Sequence, residues 1–195
     1  MGKNYAVGAR LAGPLAVINR KLPKYFSYDE VRSIIEQTSN PRDRLLLECL
    51  WQTGGRVSEV IQLTPGSIDF ANDTIRVVTL KRRALMERAI PAKPQFLGVL
   101  AKFIAAQRLQ ESDRLFPITR FRVHQIVRKA CRAAGVGDAR AHAHTFRHSF
   151  GVHLIQRMPL PAVKAVMGHA SVDSTLVYTA LTAQDVRRHF DDVHF

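Results

Sequence analysis

Histidines cluster around one arginine in the second half of the chain. Twelve consecutive residues include His142, His144, Arg147, His148 and His153. His144 and His148 are four positions apart, and on a helix this spacing lets two imidazoles bind one metal ion. A zinc peptidase of this type has a glutamate after the first histidine, but Thr145 stands there, and no acidic residue occurs between Asp138 and Asp173. We therefore expect no metal site, and we expect some of these histidines to be hydrogen-bonded core groups.

Two arginines, a further histidine and a tyrosine stand where they could meet an anion. Arg56 follows two glycines and begins a predicted helix, where backbone N–H groups also favour negative charge. Arg147 comes three residues after His144 and so shares its helical face. His169 lies in a turn between two predicted helices, and Tyr178 follows nine positions later. Singly, these residues have ordinary explanations as a surface cation, a helix cap or a core aromatic.

The charge of the chain favours a polyanionic partner. The 195 residues include 29 Lys and Arg against 16 Asp and Glu, which gives a net charge of +13. Arginines outnumber lysines by 21 to 8, and a planar guanidinium can donate two hydrogen bonds to one phosphate. A basic surface without a partner is the alternative. For a compact domain with this excess of charge, nucleic acid is the preferred partner.

Composition excludes several other classes of protein. The hydrophobic share is 46%, which is typical of a folded domain rather than a disordered chain. No apolar run approaches the roughly 18 residues of a membrane span, so an integral membrane protein is not expected. Cys49 and Cys131 lie far apart in apolar helical segments, which predicts buried free thiols rather than a disulfide.

The elements that must position these residues form a mainly α domain with a small flanking antiparallel β-sheet, an α+β fold. The first 25 residues predict an extended arm or linker. Ser27 and Glu30 match a capping box for the first helix. Thr74–Leu80 and Met86–Ile90 predict a hairpin with its turn at Lys81–Ala84. The other helices are predicted at about 41–52, 56–63, 94–109, 120–133, 144–156, 161–167, 171–179 and 183–190.

Three segments in order resemble the catalytic boxes of the tyrosine recombinase, or phage integrase, family. They are Thr53–Val60, His144–His148 and Met167–His169, with Tyr178 following the last. One box alone would be weak evidence, whereas three in order with a tyrosine at the expected distance are specific. The resemblance covers residues 23–182. It implies the catalytic-domain fold of that family, in a Xer-like member or a short member similar to the fimbrial-switch invertases.

The resemblance implies a role for each matching residue. It assigns catalysis to six positions: Arg56, Lys81, His144, Arg147, His169 and Tyr178. Glu59 matches an acidic residue that the family commonly shows, and we expect it to orient a basic neighbour. Arg82, Arg83 and His148 are expected to contact DNA. Lys81 follows the predicted strand directly, although the turn is usually glycine-rich in the family and is not so here.

The implied chemistry is the attack of a hydroxyl on a phosphodiester, with no cofactor, ATP or metal. Fixed guanidiniums and an imidazole would hold the charge that develops on the non-bridging oxygens. Tyr178 would be the nucleophile, with His144 as its candidate base and His169 mainly a donor to phosphate. Lys81 would protonate the departing 5′ oxygen. The product would be a 3′-phosphotyrosyl enzyme, from which a second strand's hydroxyl can reverse the step.

The expected partner is double-stranded DNA with specific recombination sites, bound by a homotetramer whose subunits can be monomers in solution. Two alternatives stay open: a nicking–closing enzyme similar to type IB topoisomerases, and a catalytically silent DNA-binding module. We expect an arm at 1–25 and a catalytic domain at 26–195 with a C-terminal helix at about 183–190, without a separate core-binding domain. Such a chain is either a fragment or a natural single-domain enzyme. We expect it in the cytoplasm, associated with the nucleoid when bound to DNA.

Overall fold

Seven α-helices and a three-stranded antiparallel sheet make up the part of the chain that the computed structural model describes, residues 24–81 and 84–168. The elements are α1 (Tyr28–Glu36), α2 (Pro41–Thr53), α3 (Val57–Val60), β1 (Ile68–Asp69), β2 (Thr74–Lys81), β3 (Ala84–Pro91), α4 (Pro94–Gln107), α5 (Arg120–Ala133), α6 (Ala143–Ile155) and α7 (Leu160–Met167). This confirms the predicted mainly α class with a small antiparallel sheet. The predicted helices at 171–179 and 183–190, and residues 1–23 of the predicted arm, lie outside the described residues. No helix in the described ranges is long and apolar enough to cross a membrane.

Polar side chains fix where the helices begin. The Ser27 hydroxyl accepts a hydrogen bond from the Glu30 N–H, and the Glu30 carboxylate accepts one from the Ser27 N–H, so the predicted capping box is confirmed. Asn40 caps α2 by accepting from the Asp43 N–H at 3.0 Å. The Thr119 hydroxyl caps α5 in the same way. Each cap satisfies an N–H group that the first turn of a helix leaves without a partner.

Gly54 ends α2 and directs the chain into α3. Its φ is +56°, a left-handed conformation that glycine adopts without a steric penalty. A Cβ at this position would come within 2.1 Å of the Phe150 ring. The glycine therefore allows α2 and α6 to approach closely, and it places Arg56 at the N-terminus of α3.

The sheet has the order β1-β2-β3, and its hairpin is tighter than the sequence predicts. In β2 and β3, Thr74 pairs with Pro91 and the register continues to Lys81 opposite Ala84. The predicted turn at 81–84 is therefore too wide, because both of its end residues join the ladder. Strand β1, whose two residues pair with the first two residues of β2, is not predicted from the sequence.

Two helices differ in length from their predictions. The helix predicted at 56–63 is the single turn Val57–Val60, after which the chain continues through tighter turns such as Gln62 N–H to Glu59 C=O. α4 ends at Gln107 rather than near 109, because Arg108 adopts a left-handed conformation with φ +52°.

The main core lies between α1, α2, α5 and the inner face of the sheet. The middle of α2 is buried on nearly all sides, at Leu45, Leu46, Leu47, Cys49 and Leu50, whereas Trp51 is only partly buried. A second cluster of Val152, Val163 and Met167 joins α6 to α7. Cys49 and Cys131 are buried free thiols, which confirms that prediction. Together the two clusters hold the C-terminal ends of α2 and α7 against α6, beside the polar side chains of the site.

Candidate active site

Arg147 is a buried cation held between the ends of two helices. Its side chain lies on α6, and the residue is only 3% exposed. Nη1 donates to the Gly54 carbonyl at 2.7 Å and Nη2 donates to the Met167 carbonyl at 2.6 Å. Carbonyl groups at helix C-termini carry partial negative charge, so both bonds favour the guanidinium. These contacts fix Arg147 relative to α2, α6 and α7 together.

Arg56 begins α3 beside a buried carboxylate. The backbone N–H of Arg56 donates to Glu59 Oε2 at 2.8 Å, and its guanidinium Nη1 donates to Glu59 Oε1 at 2.8 Å. The Arg56 side chain is 40% exposed, whereas that of Glu59 is only 2% exposed. Glu59 therefore holds Arg56 at the N-terminus of the helix while leaving its guanidinium accessible from solvent.

A second arginine, Arg88 of β3, also binds the Glu59 carboxylate. Arg88 Nη2 lies 2.8 Å from Glu59 Oε2, and the Thr79 hydroxyl of β2 donates to Glu59 Oε1. Burial of Glu59 opposes its ionisation. The hydrogen bonds from Arg88, Thr79 and the Arg56 backbone outweigh that effect and lower the pKa of Glu59 to about 2. Glu59 is thus a permanent anion between two guanidiniums.

The two histidines of α6 stack edge to face beside the arginines. The ring centroids of His144 and His148 are 4.4 Å apart, with an interplanar angle of 83°. Partial burial and the charges of Arg147 and Arg56 lower the pKa of His144, although part of this residue is exposed. Burial, followed by His144 and Arg147, lowers the pKa of His148 to about 4. Both imidazoles are therefore mainly neutral at pH 7. Within the described residues, no three His, Cys, Asp or Glu side chains form a metal-binding group.

A groove of about 790 Å³ opens beside Arg56, between α3, β2 and the start of α5. Three arginines line it: Arg56, Arg76 and Arg120. Ser58, Gln62 and Ser67 add hydrogen-bonding groups to its lining. Guanidiniums and small polar groups of this kind suit a phosphate backbone better than an apolar ligand.

The structure brings together five of the residues that the sequence singled out: Arg56, Glu59, His144, Arg147 and His148. The backbone of Lys81 ends β2, two residues after Thr79. Four other expected site residues, Arg82, Arg83, His169 and Tyr178, lie outside the described residues. Gly168, the last residue that the structure describes, directly precedes His169.

Arg88 and Thr79 are the polar groups of the site that sequence reasoning missed. Arg88 lies between two exposed residues, Glu87 and Ala89, and its own side chain turns inward. Strand alternation places Arg88 on the same face of β3 as the buried Ile90. A lone cation on an inward-facing strand position is a signal of a buried partner, and it was available in the sequence.

Comparison with known proteins identifies the family. A model of the phage integrase family matches residues 24–185, which is most of the chain. The chain belongs to the phage integrase family. The sequence-based resemblance is therefore confirmed, and the family's tyrosine recombinases break and rejoin DNA.

Several known proteins resemble this chain over most of its length. A resolvase of Escherichia coli is 27% identical over 205 residues, which cover 88% of this chain and 79% of the resolvase. The tyrosine recombinase XerD of Staphylococcus saprophyticus is 28% identical, with coverage of 90% of this chain and 64% of XerD. The crystal structure of the XerH recombinase bound to its difH substrate aligns with a TM-score of 0.70 and 26% identity, over 82% of this chain and 50% of XerH.

These matches confirm the tyrosine recombinase catalytic-domain fold and support site-specific recombination by strand breakage and rejoining. Neither a topoisomerase-like enzyme nor a silent DNA-binding module is favoured by them. The chain spans about half the length of XerH and under two thirds of XerD. The reaction and the partners of this chain are therefore stated as proposals.

Proposed function

We propose that this chain is a site-specific DNA recombinase that cleaves one strand of a duplex with Tyr178 and forms a 3′-phosphotyrosyl bond. The observation that carries the proposal is the convergence of Arg56 and Arg147 on His144, close enough for both charges to lower the pKa of its imidazole. Two fixed cations beside a neutral imidazole match the needs of phosphoryl transfer, in which charge grows on the non-bridging oxygens.

Arg56 and Arg147 would both bind the phosphate. Arg147 is anchored by the carbonyls of Gly54 and Met167, so it would require little rearrangement when the transition state forms. Arg56 is more exposed and is oriented by Glu59. A preorganised buried donor and an accessible one on a neighbouring helix could hold two different oxygens of one phosphate.

We propose that His144 and Lys81 transfer the protons of the cleavage step. A base must be unprotonated before it acts, and the lowered pKa of His144 supports that state at neutral pH. Lys81 ends β2 next to the hairpin turn, and we propose that it protonates the departing 5′ oxygen. His169 would donate to the phosphate, and Arg82, Arg83 and His148 would contact DNA nearby.

The proposed substrate is double-stranded DNA that carries specific recombination sites. Two observations support it: the arginine-lined groove beside Arg56, and the likeness to XerH, which was crystallised with its difH substrate. We propose a catalytic domain at 26–195, preceded by an arm, that acts as a homotetramer on two duplexes. The mass of the complex formed on two-site DNA tests that stoichiometry.

A covalent trap tests the nucleophile. With a nicked duplex from which the cleaved end can diffuse away, the wild-type protein should accumulate a protein–DNA adduct that survives denaturation. Tyr178→Phe removes one hydroxyl, so it should abolish the adduct while DNA binding stays nearly unchanged. Tyr5 and Tyr25 lie outside the catalytic boxes, and Tyr25→Phe serves as the matched control. An undiminished adduct from Tyr178→Phe would exclude the assignment.

A further inference from the structure

Arg88 contacts three elements of the site that are far apart in the sequence. From β3 its guanidinium reaches Glu59 of α3, with Nη2 at 2.8 Å from Oε2. Nη1 donates to the Thr79 hydroxyl of β2 at 3.1 Å. Nε donates to the Val166 carbonyl near the end of α7 at 3.1 Å. With a side chain only 12% exposed, Arg88 joins the hairpin to Glu59 of α3 and to the end of α7.

The end of α7 is held by two arginines on successive carbonyls. Arg88 binds the Val166 carbonyl, and Arg147 binds the Met167 carbonyl. Gly168 follows with φ +61°, and a Cβ there would come within 3.0 Å of Arg88 Nη1. The Arg88 guanidinium therefore packs directly against the residue from which the chain continues to His169.

We propose that Arg88 is a positioning residue for strand cleavage, which orients Arg56 through Glu59 and the C-terminal end of α7 through the Val166 carbonyl. The inference rests on the proposed function of the site. Arg88 acts through its neighbours and does not touch the phosphate. Because it stands on β3, it also ties these groups to the hairpin that carries Lys81.

An arginine is needed because its contacts point in different directions. The planar guanidinium presents five N–H donors in a fixed fork, which lets Nε, Nη1 and Nη2 serve separate acceptors. A lysine could keep the charge opposite Glu59 but could not reproduce the whole set. A buried ion pair is weak evidence for stability alone, which favours a role in geometry.

Two substitutions separate positioning from folding: Arg88→Met, which removes the charge, and Arg88→Lys, which keeps it. We expect Arg88→Met to lower the single-turnover cleavage rate by about 100-fold, the effect of displacing reacting groups by about 1 Å. Arg88→Lys should lose about tenfold, because it lacks the fork. Binding to half-site DNA should change by less than about threefold in both, as for a residue outside the interface. Arg32→Met is the matched control, since Arg32 is exposed on α1 and pairs with the exposed Asp29.

The pH dependence distinguishes positioning from a merely structural role. Glu59 is faced by Arg56 from its own helix, by Thr79 from β2 and by Arg88 from β3. Without Arg88 the pKa of Glu59 rises, because burial is then less well opposed. Protonated Glu59 no longer holds Arg56, so the ratio of Arg88→Met to wild-type rates should fall as pH falls. Arg88→Lys should keep this ratio constant, because its charge still faces Glu59.

The outcomes are distinct for the inference and for the proposed function. If wild type forms no Tyr178-dependent adduct, the proposed function fails and the inference fails with it. If wild type forms the adduct and Arg88→Met cleaves at the wild-type rate, the inference alone is overturned. A loss that is equal at every pH and matched by lost DNA binding also overturns it. If Arg88→Met does not fold, Arg88→Lys decides: slower cleavage with normal binding supports positioning, and wild-type cleavage refutes it.

Discussion

His148 is an uncharged histidine beside His144 and the charged Arg147, and its environment makes stability depend on pH. Its pKa is lowered from 6.5 to about 4, first by burial and then by His144 and Arg147. Between these values the unfolded chain binds a proton that the folded chain does not, so stability is lost as pH falls from 6.5 towards 4. At about 1.36 kcal/mol per pKa unit, and with a discount for the partial exposure of His148, the loss of unfolding free energy is about 1–2 kcal/mol.

Urea unfolding at a series of pH values measures this loss. His148→Gln should flatten the change in unfolding free energy between pH 6.5 and 4, because glutamine does not titrate. His124→Gln is the matched control, since His124 is exposed on α5, and it should leave the pH profile as in wild type. An unchanged profile for His148→Gln would mean that another group is responsible.

At the level of residues, local patterns could predict the site only where it depends on neighbours in sequence. Arg56 and Glu59 are three positions apart, and His144 and Arg147 lie on one helical turn, so spacing indicates their proximity. Arg88 is 29 positions from Glu59 and 78 from Val166. Its partners are set by the pairing of β2 with β3 and by the packing of α7, which spacing alone does not reveal.

At the scale of elements, the junction of α2 with α6 depends on the absence of a side chain at Gly54. Gly54→Ala would strain a left-handed residue, at about 1–2 kcal/mol, and would also force the Phe150 ring to move, at about 1–3 kcal/mol. Gly135 provides the matched control, because its φ is +71° but, in the part of the chain that the structure describes, no atom beyond its own chain neighbours lies within 4 Å of a Cβ built there.

Chemical denaturation of the two glycine variants isolates the steric effect. Both variants should lose unfolding free energy because alanine strains a left-handed backbone. Gly54→Ala should be less stable than Gly135→Ala by about 1–3 kcal/mol, because only Gly54→Ala also displaces the Phe150 ring. Because Gly54 also supplies a carbonyl to Arg147, Gly54→Ala should lower cleavage as well. Equal stabilities would show that α6 accommodates the methyl group by a small shift.

Helix starts were more predictable than chain reversals. The Ser27–Glu30 capping box depends on hydrogen bonds between residues close in sequence, and it occurs as expected; the Asn40 cap is equally local. The hairpin was predicted with too long a turn, since the sequence around Lys81 lacks the glycine or asparagine typical of two-residue loops. The left-handed Arg108 was also unexpected, because arginine has no intrinsic preference for that conformation.

At the scale of the whole molecule, the net charge of +13 becomes a prediction about salt. Each phosphate that a protein neutralises contributes about 0.9 to the slope of log affinity against log salt concentration. Arg120 is exposed at the start of α5 and lines the groove beside Arg56. Arg120→Gln should therefore weaken DNA binding and reduce that slope by about 0.9.

Fluorescence anisotropy over a range of salt concentrations measures the slope. Arg32→Gln removes the same charge from α1, away from the groove, and should leave the slope nearly unchanged. If both substitutions reduce it equally, the affinity reflects the overall charge of the protein rather than contacts in the groove.

The burial of both cysteines has a practical consequence for following this molecule on DNA. Burial raises the pKa of the Cys131 thiol to about 11, and it raises that of Cys49 further. At pH 7 only about one Cys131 in ten thousand would be a thiolate, the form that reacts with maleimides. A single cysteine introduced at an exposed position could thus carry a fluorophore without replacing the native thiols. If the proposed tetramer forms, energy transfer between labelled copies of the chain would report its assembly on two duplexes in real time, in a protein whose core is unaltered.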